Sequence, residues 1–590
     1  MRTGETVTTD TTELLLGLVA VASLVAMTVG MALWAALRIS LFIAGHGSGA
    51  SRGDPGPLTG SFALVGALFV HPGSPWAGYP GLANTAAPNA VMFWIVASVA
   101  LVIAGALATV VVCAVRTWLY PGQNRDTHGK ATWANRADVA RACTLRPPGN
   151  IDPHGVVLGW WGRRKVVQSR PEDNVLVVGT TRSGKTSTVV VPTLFGWRGS
   201  VLATSTKAEL VRLTGPTRRQ LGGRVGVFAP LDEDHKWIAD LGLNVVTWNP
   251  LTSIRSVGSA GELADVFTGE GKRTEAAHWY LAASSVLTGL FVLEAQRLQL
   301  GGAGGDLRHA LHLLHTTRLE DYPALALEVD DPQAKELLSG LASTPDREAG
   351  SIVSTARVAL SLWIDERVAA ATAVQAESEL DITAFLRDGG TLYLVAPVEE
   401  AERCRPLFSA LLQAILRAAS IRAQSSPRGV LEPRLLLALD EVANFVRIPR
   451  LASYVSTGPG QGVQTLLCFQ DLAQLEGGYG KEDARSIMNN CRCKVLMPGQ
   501  GDLGTLDAFS RSIGQATTIY TAPSWNPDGR QARSQHRVSG PLAAPDVLRC
   551  TREPVLVAGD ANPAILRSRG WWQVPEWSSR IASDPQTPAH

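Results

Sequence analysis

The sequence predicts an α/β fold: a parallel sheet with helices on both faces, an all-α insert, and an N-terminal pair of apolar helices. Three observations carry this. Short apolar runs rich in β-formers recur at Val175–Val178, Val201–Ala203, Val225–Ala229 and Val245–Trp248. They resume at Thr391–Ala396, Leu435–Leu439, Thr465–Phe469 and Lys494–Met497. Uninterrupted apolar runs of this length suit strands buried on both faces, and helical stretches between them point to three layers. Between the two groups, roughly residues 251–381, the pattern turns helical throughout.

With 590 residues, the chain has room for about three or four domains. Hydrophobic residues make up 45%, and the mean hydropathy is slightly positive, which points to membrane segments. The 54 basic and 52 acidic side chains leave a net charge of +2. A strong global field for nucleic acid is thereby excluded, and any such role needs a local surface. Seven scattered cysteines do not suggest a disulfide framework. Cys491 and Cys493, the only close pair, have no partner pair at zinc spacing.

Residues 1–116 are expected to form a two-span membrane anchor. Leu14–Leu37 and Val91–Val115 are uncharged and long enough to cross a bilayer. A cleaved signal peptide is disfavoured by the length of the first run and by Glu5, Asp10 and Glu13 ahead of it. Arg116, Arg125, Lys130 and Arg136 follow the second run, which places the main body and the N-terminus in the cytoplasm. Residues 39–90 then form an extracytoplasmic loop, in which Ser61–Val70 is too short to span. Trp76, Tyr79, Phe93 and Trp94 stand where an aromatic belt would lie.

Residues 117–170 read as a connecting segment, and 171–250 with 382–577 as the nucleotide-binding domain. The insert, 251–381, contains helical stretches at Glu275–Leu298, Asp306–His315 and Asp331–Leu341. The last opens on a capping Asp331 with Pro332 at the first helical position. Residues 578–590 read as a disordered tail.

The chemistry concentrates at Asn174-Val-Leu-Val-Val-Gly179-Thr-Thr-Arg-Ser-Gly184-Lys185-Thr186. A strand enters a turn with the spacing G-x-x-x-x-G-K-[ST], and a helix is expected from Lys185 onward. Backbone amides from Gly179, Thr180, Thr181, Arg182, Ser183, Gly184, Lys185, Thr186 and Ser187 can wrap phosphates of ATP. Lys185 would reach the β- and γ-phosphates, and Thr186 would hold Mg²⁺. The helix N-terminus adds its dipole. Leu435–Leu439 ends in Asp440 and Glu441. The first is read as the metal-side carboxylate and the second as the group that polarises an attacking water. Gln470, after Thr465–Phe469, is placed to sense the γ-phosphate, although a helix cap or surface amide fits equally. Lys207 either approaches the phosphates or pairs with Glu209.

Taken together, these motifs resemble the type IV secretion coupling proteins of the TraG/TraD kind. The resemblance rests on the two apolar runs, Gly179–Thr186, Trp248-Asn-Pro-Leu251, the helical insert and Asp440-Glu441. Gly129-Lys-Ala-Thr-Trp133-Ala, Gly350-Ser-Ile-Val-Ser354, Leu392-Tyr-Leu-Val-Ala-Pro397, Gln470 with Gln474, and Asn490 through Gly499 extend it from Leu14 to about Pro563. It implies a RecA-like P-loop ATPase core assembled as a homo-hexamer under a bacterial plasma membrane. It further implies movement of DNA or a relaxase–DNA complex toward components of a secretion channel. Two positions depart from the family: Ser205 stands where many members carry Asp, and the turn Thr457-Gly-Pro459-Gly-Gln lacks the arginine some members place there. Arg447, Arg450 and Arg511 remain open as donors to a neighbouring subunit's nucleotide. Two other functions stay in view: a chromosome translocase of the FtsK kind, and a nucleotide-binding receptor or scaffold that does not depend on hydrolysis.

Overall fold

The computed structural model describes residues 11–43, 56–74, 76, 79, 89–119, 129–269, 271, 275, 277–301, 304–373, 378–525 and 531–582. They divide into two compact units, 1–128 with 518–538 and 129–517 with 539–590.

The first unit contains helices Thr11–Ile43, Gly56–Val70 and Ala90–Leu119. Leu33, Ala36, Leu37, Leu64, Phe93 and Ala97 pack together with Trp76 and Tyr79. Among the described residues no helix is long and apolar enough to cross a membrane. The expected spans fall partly on side chains outside the described set, those of 14–26, 107, 108 and 110–115. The expected aromatic belt is not what these residues form. Trp76, Tyr79 and Phe93 are buried, because the Trp76 and Phe93 rings meet edge to face at 4.7 Å and Tyr79 accepts from Trp34 Nε1 at 3.1 Å.

The second unit opens with an antiparallel sheet of β1 (Thr144–Arg146), β2 (Val157–Trp161) and β3 (Lys165–Gln168), in the order β1-β3-β2. Its main sheet has ten strands. They are β4 (Val175–Val178), β5 (Ser200–Ser205), β6 (Val225–Phe228), β7 (Asn244–Val245), β8 (Thr391–Val395), β9 (Leu435–Leu439), β10 (Val463–Phe469) and β11 (Cys493–Leu496). Beyond β12 (Gln515–Trp525) and β13 (Gln531–Pro541), which pair with each other, β14 (Val555–Ala558) and β15 (Ala564–Ile565) complete it. The order is β15-β14-β11-β4-β10-β9-β5-β8-β6-β7.

The alternation of side chains along each strand separates two cores. Leu176, Val178, Leu435, Leu437 and Leu439 join one cluster, whereas Val175, Val177, Leu436 and Ala438 join the other. The sheet is mixed rather than parallel throughout: β11 pairs parallel with β4 but antiparallel with β14, and β14 is antiparallel to β15. The short connection from β14 to β15 leaves no room for the crossover that a parallel pair requires.

From Val257 to Ala371 the described chain is helical, with its longest helix at Ala277–Leu300. The helix predicted after Asp331 runs Pro332–Ala342, its first turn capped by the Asp331 carboxylate. The ends of this segment lie side by side: Trp248 N donates to Ala371 O at 3.0 Å, and Leu380 N to Thr247 O at 2.9 Å. The supposed tail is shorter than expected. Pro575–Ala582 is a helix because Trp577 and Ile581 are buried, and Trp577 meets Trp160 at 5.5 Å. The rest, 583–590, lies outside the described residues.

Candidate functional site

The loop 179–185 joins the C-terminal end of β4 to a helix. β4 is held on one side by β10 and on the other by β11. Asn174 fixes it further, donating to Val455 O at 2.6 Å and accepting from Thr465 N at 2.8 Å. Arg182 (φ 62°) and Gly184 (φ 92°) take left-handed conformations that turn the chain. Gly179 is required for contact: a Cβ there would lie 2.5 Å from Met497 Cβ and 2.7 Å from Ser183 Oγ. The expected helix begins at Thr186 as a wide π turn through Val190 and continues as α-helix to Gly196. Val157 N donates to Thr193 Oγ1 at 2.9 Å, which ties this helix to β2.

Lys185 is 7% exposed and folds back over the loop, donating to Gly179 O at 2.5 Å and Thr180 O at 3.0 Å. Thr186 Oγ1 donates to Asp440 Oδ2 at 2.5 Å. Asp440, at the end of β9, is buried, and its Oδ1 has no hydrogen-bond partner. Burial pushes its pKa up from 3.8, against the Thr186 hydrogen bond and the Lys185 charge, with Glu441 adding to the rise. Its backbone carbonyl accepts from Thr204 Oγ1 at 2.8 Å, so β5 and β9 share the end of the sheet. Glu441 takes φ 54°, ψ 48°, a left-handed conformation in a residue with a side chain. That conformation costs about 1–3 kcal/mol and is held by β9 before it and Val442–Phe445 after it.

A cavity of about 880 Å³ opens over these groups, lined by Thr181–Ser187, Lys207, Asp440 and Glu441. Thus two segments 254 residues apart, Thr186 and Asp440, meet beneath one cavity. Gln470 is not in its wall. That residue follows β10 directly, its N–H donating to Gln474 Oε1 at 3.1 Å and its carbonyl accepting from Gln500 Nε2 at 2.8 Å. Ser205 Oγ turns back to the Lys207 backbone at 2.6 Å, leaving the Lys207 side chain exposed at the cavity. Arg447 and Arg450 line a different cavity, with Arg447 donating to Gly478 O. Cys491 and Cys493 are buried, and no group of three or more metal-ligating side chains occurs among the described residues.

The donor set fits a hard cation and a polyphosphate. A buried carboxylate oxygen without a partner, beside a threonine hydroxyl and under a cationic loop, is the chemistry that Mg²⁺ with a nucleotide triphosphate would complete.

Residues 132–569 match the family model described as "Type IV secretory system Conjugative DNA transfer". The chain belongs to this family. Its place is in conjugative DNA transfer and type IV secretion. Among similar sequences is the conjugal transfer protein TraG of Escherichia coli, 27% identical over 474 residues, covering 73% of this chain and 72% of that protein. Protein VirD4 of Rhizobium rhizogenes is 26% identical over 485 residues, covering 77% and 67%. Among solved structures, the bacterial conjugative coupling protein TrwBΔN70 aligns with a TM-score of 0.57 at 19% identity, covering 75% of this chain and 92% of that one. TrwB in complex with ADP and Mg²⁺ aligns at 0.54 and 18% identity, covering 74% and 93%. These likenesses establish the α/β fold of the family member.

One wall of the cavity is absent from the motifs. Leu210 and Leu213, on the helix after β5, and Trp571 and Trp572, near the C-terminus, line it too. The Trp-Trp pair was visible in the sequence, but nothing local connected it to a loop almost 390 positions earlier.

The buried Asp440 carries a pH signature. Its pKa is raised in the folded chain, so over the window between 3.8 and the raised value the native state binds more protons than the unfolded one. Stability therefore declines as pH climbs through that window. In metal-free buffer at pH 8, Asp440→Asn is expected to be more stable than wild type by about 1 kcal/mol. The gap should close toward pH 4 in thermal melts; parallel pH profiles for the two proteins would refute the assignment.

Proposed function

We propose that this chain is a membrane-anchored ATPase that couples ATP hydrolysis to delivery of DNA, or a relaxase–DNA complex, into a type IV secretion channel. The carrying observation is the Thr186–Asp440 pair, with Asp440 Oδ1 unpaired, buried under the Lys185 loop. In this reading Thr181–Ser187 bind the phosphates, Lys185 leaves the Gly179 and Thr180 carbonyls for the β- and γ-phosphates, and Thr186 and Asp440 hold Mg²⁺. When held there, Mg²⁺ would supply neutralisation of charge on the phosphate oxygens. Glu441 orients water and accepts its proton.

The uncharged runs Leu14–Leu37 and Val91–Val115, within helices Thr11–Ile43 and Ala90–Leu119, support a two-span anchor with the main body cytoplasmic. The helical segment between β7 and β8 supports a separate cargo-facing insert at 251–381. Assembly as a homo-hexamer, with an arginine supplied by a neighbour, accords with the lack of Arg447 and Arg450 at this chain's own cavity.

The test is Lys185→Ala in full-length protein. DNA-stimulated ATP turnover is expected to fall about 100-fold, and plasmid transfer from a deletion strain carrying the variant to fail. Wild-type turnover and transfer with Lys185→Ala would remove the proposal.

A further inference from the structure

The cavity is larger and more apolar than a polyphosphate requires. Its volume of about 880 Å³ lies near the top of the range of about 300–1,000 Å³ for small-molecule sites. Its charged lining comes from Arg182, Lys185, Lys207, Glu209, Asp440 and Glu441. The rest of the wall includes Val191, Leu210, Leu213, Trp571 and Trp572. Water gains little from such a wall, whereas a flat aromatic ring does.

Trp572 is 55% exposed, although its neighbour Trp571 is buried. The two indoles meet edge to face at 5.7 Å and 87°, so the buried ring props the exposed one. The turn that carries them is braced. Gly570 N donates to Gln573 Oε1 at 3.2 Å, and Arg569 donates to Gln573 O at 2.7 Å while stacking over Trp160 at 4.5 Å. The Trp572 ring packs against Gly570, where a Cβ would come within 2.5 Å of it. The helix that follows is tied to the phosphate-loop helix, Arg580 donating to Phe195 O at 2.5 Å. An exposed indole is thus mounted on a braced turn in the wall of the phosphate cavity, on an element anchored to the helix that carries the loop. Rigid mounting of this kind limits the entropy lost on binding.

We propose that Trp572, backed by Trp571, is the stacking wall for the purine base of the nucleotide bound at Lys185. This rests on the reading of the cavity as an ATP site. Stacking uses the face of the ring and no edge hydrogen bonds, so ATP and GTP are held alike.

The experiment is calorimetric titration of full-length protein in detergent with ATP, GTP and inorganic tripolyphosphate. Trp572→Ala, chosen because the ring is more than half exposed, is expected to weaken ATP and GTP roughly tenfold and to leave tripolyphosphate unchanged. Trp572→Phe restores most of the nucleotide affinity because a ring remains. Unchanged ATP affinity in Trp572→Ala overturns the base subsite, as does an equal loss for ATP and tripolyphosphate, which marks a structural effect. Either result leaves the phosphate site standing. Wild-type protein that binds neither ATP nor tripolyphosphate overturns the ATP reading itself, and the base subsite with it.

Discussion

Glu441→Gln is expected to lower ATP turnover by about 10²–10⁴-fold while leaving ATP affinity unchanged. The substitution keeps the shape of the side chain and removes only its ability to take a proton from water. The backbone makes the comparison clean. Glu441 sits at φ 54°, between the last buried residues of β9 and the short helix Val442–Phe445. Gln bears the same strain as Glu there, so the fold changes little. A glycine would relieve the strain and confound the measurement. Steady-state turnover with and without DNA, alongside nucleotide titration, separates the two effects. Transfer should fail together with turnover. A variant that transfers plasmid at the wild-type level without hydrolysis would favour the receptor or scaffold function instead.

How much of this was legible in the sequence depends on the range of each interaction. β4 and its loop are local: an apolar run, two glycines at fixed spacing, and a lysine and threonine together state the turn. β9 with Asp440 and Glu441 is equally local, and its closeness to the loop followed from pairing two motifs. The edge of the sheet was not legible. Val555–Ala558 is a short apolar run like the others, and its composition does not state that it pairs antiparallel with both β11 and β15. The helix Pro575–Ala582 runs into the tail expected from Ser578 on. Among its described side chains only Trp577 and Ile581 are buried, too few to show a period in so short a segment. Trp76, Tyr79 and Phe93 have the composition of an interfacial belt, yet tertiary ring packing buries them. The left-handed Glu441 and the Trp571–Trp572 wall have no local signal. Each exists because distant segments meet at the end of the sheet.

Arg218→Met is expected to destabilise the second unit by about 1–3 kcal/mol, the cost of leaving buried carbonyl oxygens without their donor. Arg218 is among the largest fully buried side chains, and the hydrogen bonds found for it go to no carboxylate. Burial pushes its pKa down to about 10, which still leaves it cationic at neutral pH. Its charge is instead met by oxygens. Nη1 donates to Trp197 O and, at 3.5 Å, to Leu194 O; Nη2 donates to Gly199 O at 2.8 Å; Nε donates to Thr391 Oγ1 at 2.9 Å. Leu194 and Trp197 lie at the C-terminal end of the phosphate-loop helix, where the carbonyls are otherwise unpaired and the dipole is negative. Gly199 begins the turn into β5, and Thr391 begins β8. One guanidinium therefore fixes the far end of the loop's helix to two strands. Met fills a similar volume, so the loss reads out the unsatisfied oxygens rather than a cavity. Arg218→Lys keeps the charge but not the fork, and should recover only part of the stability. Denaturant or thermal unfolding of the three proteins measures this directly. Because the same helix carries Lys185 and Thr186 at its other end, ATP turnover of Arg218→Met should fall at temperatures where the unit is still folded. A loss below about 1 kcal/mol would mean that the carbonyls find other donors, and that Arg218 does not brace the site.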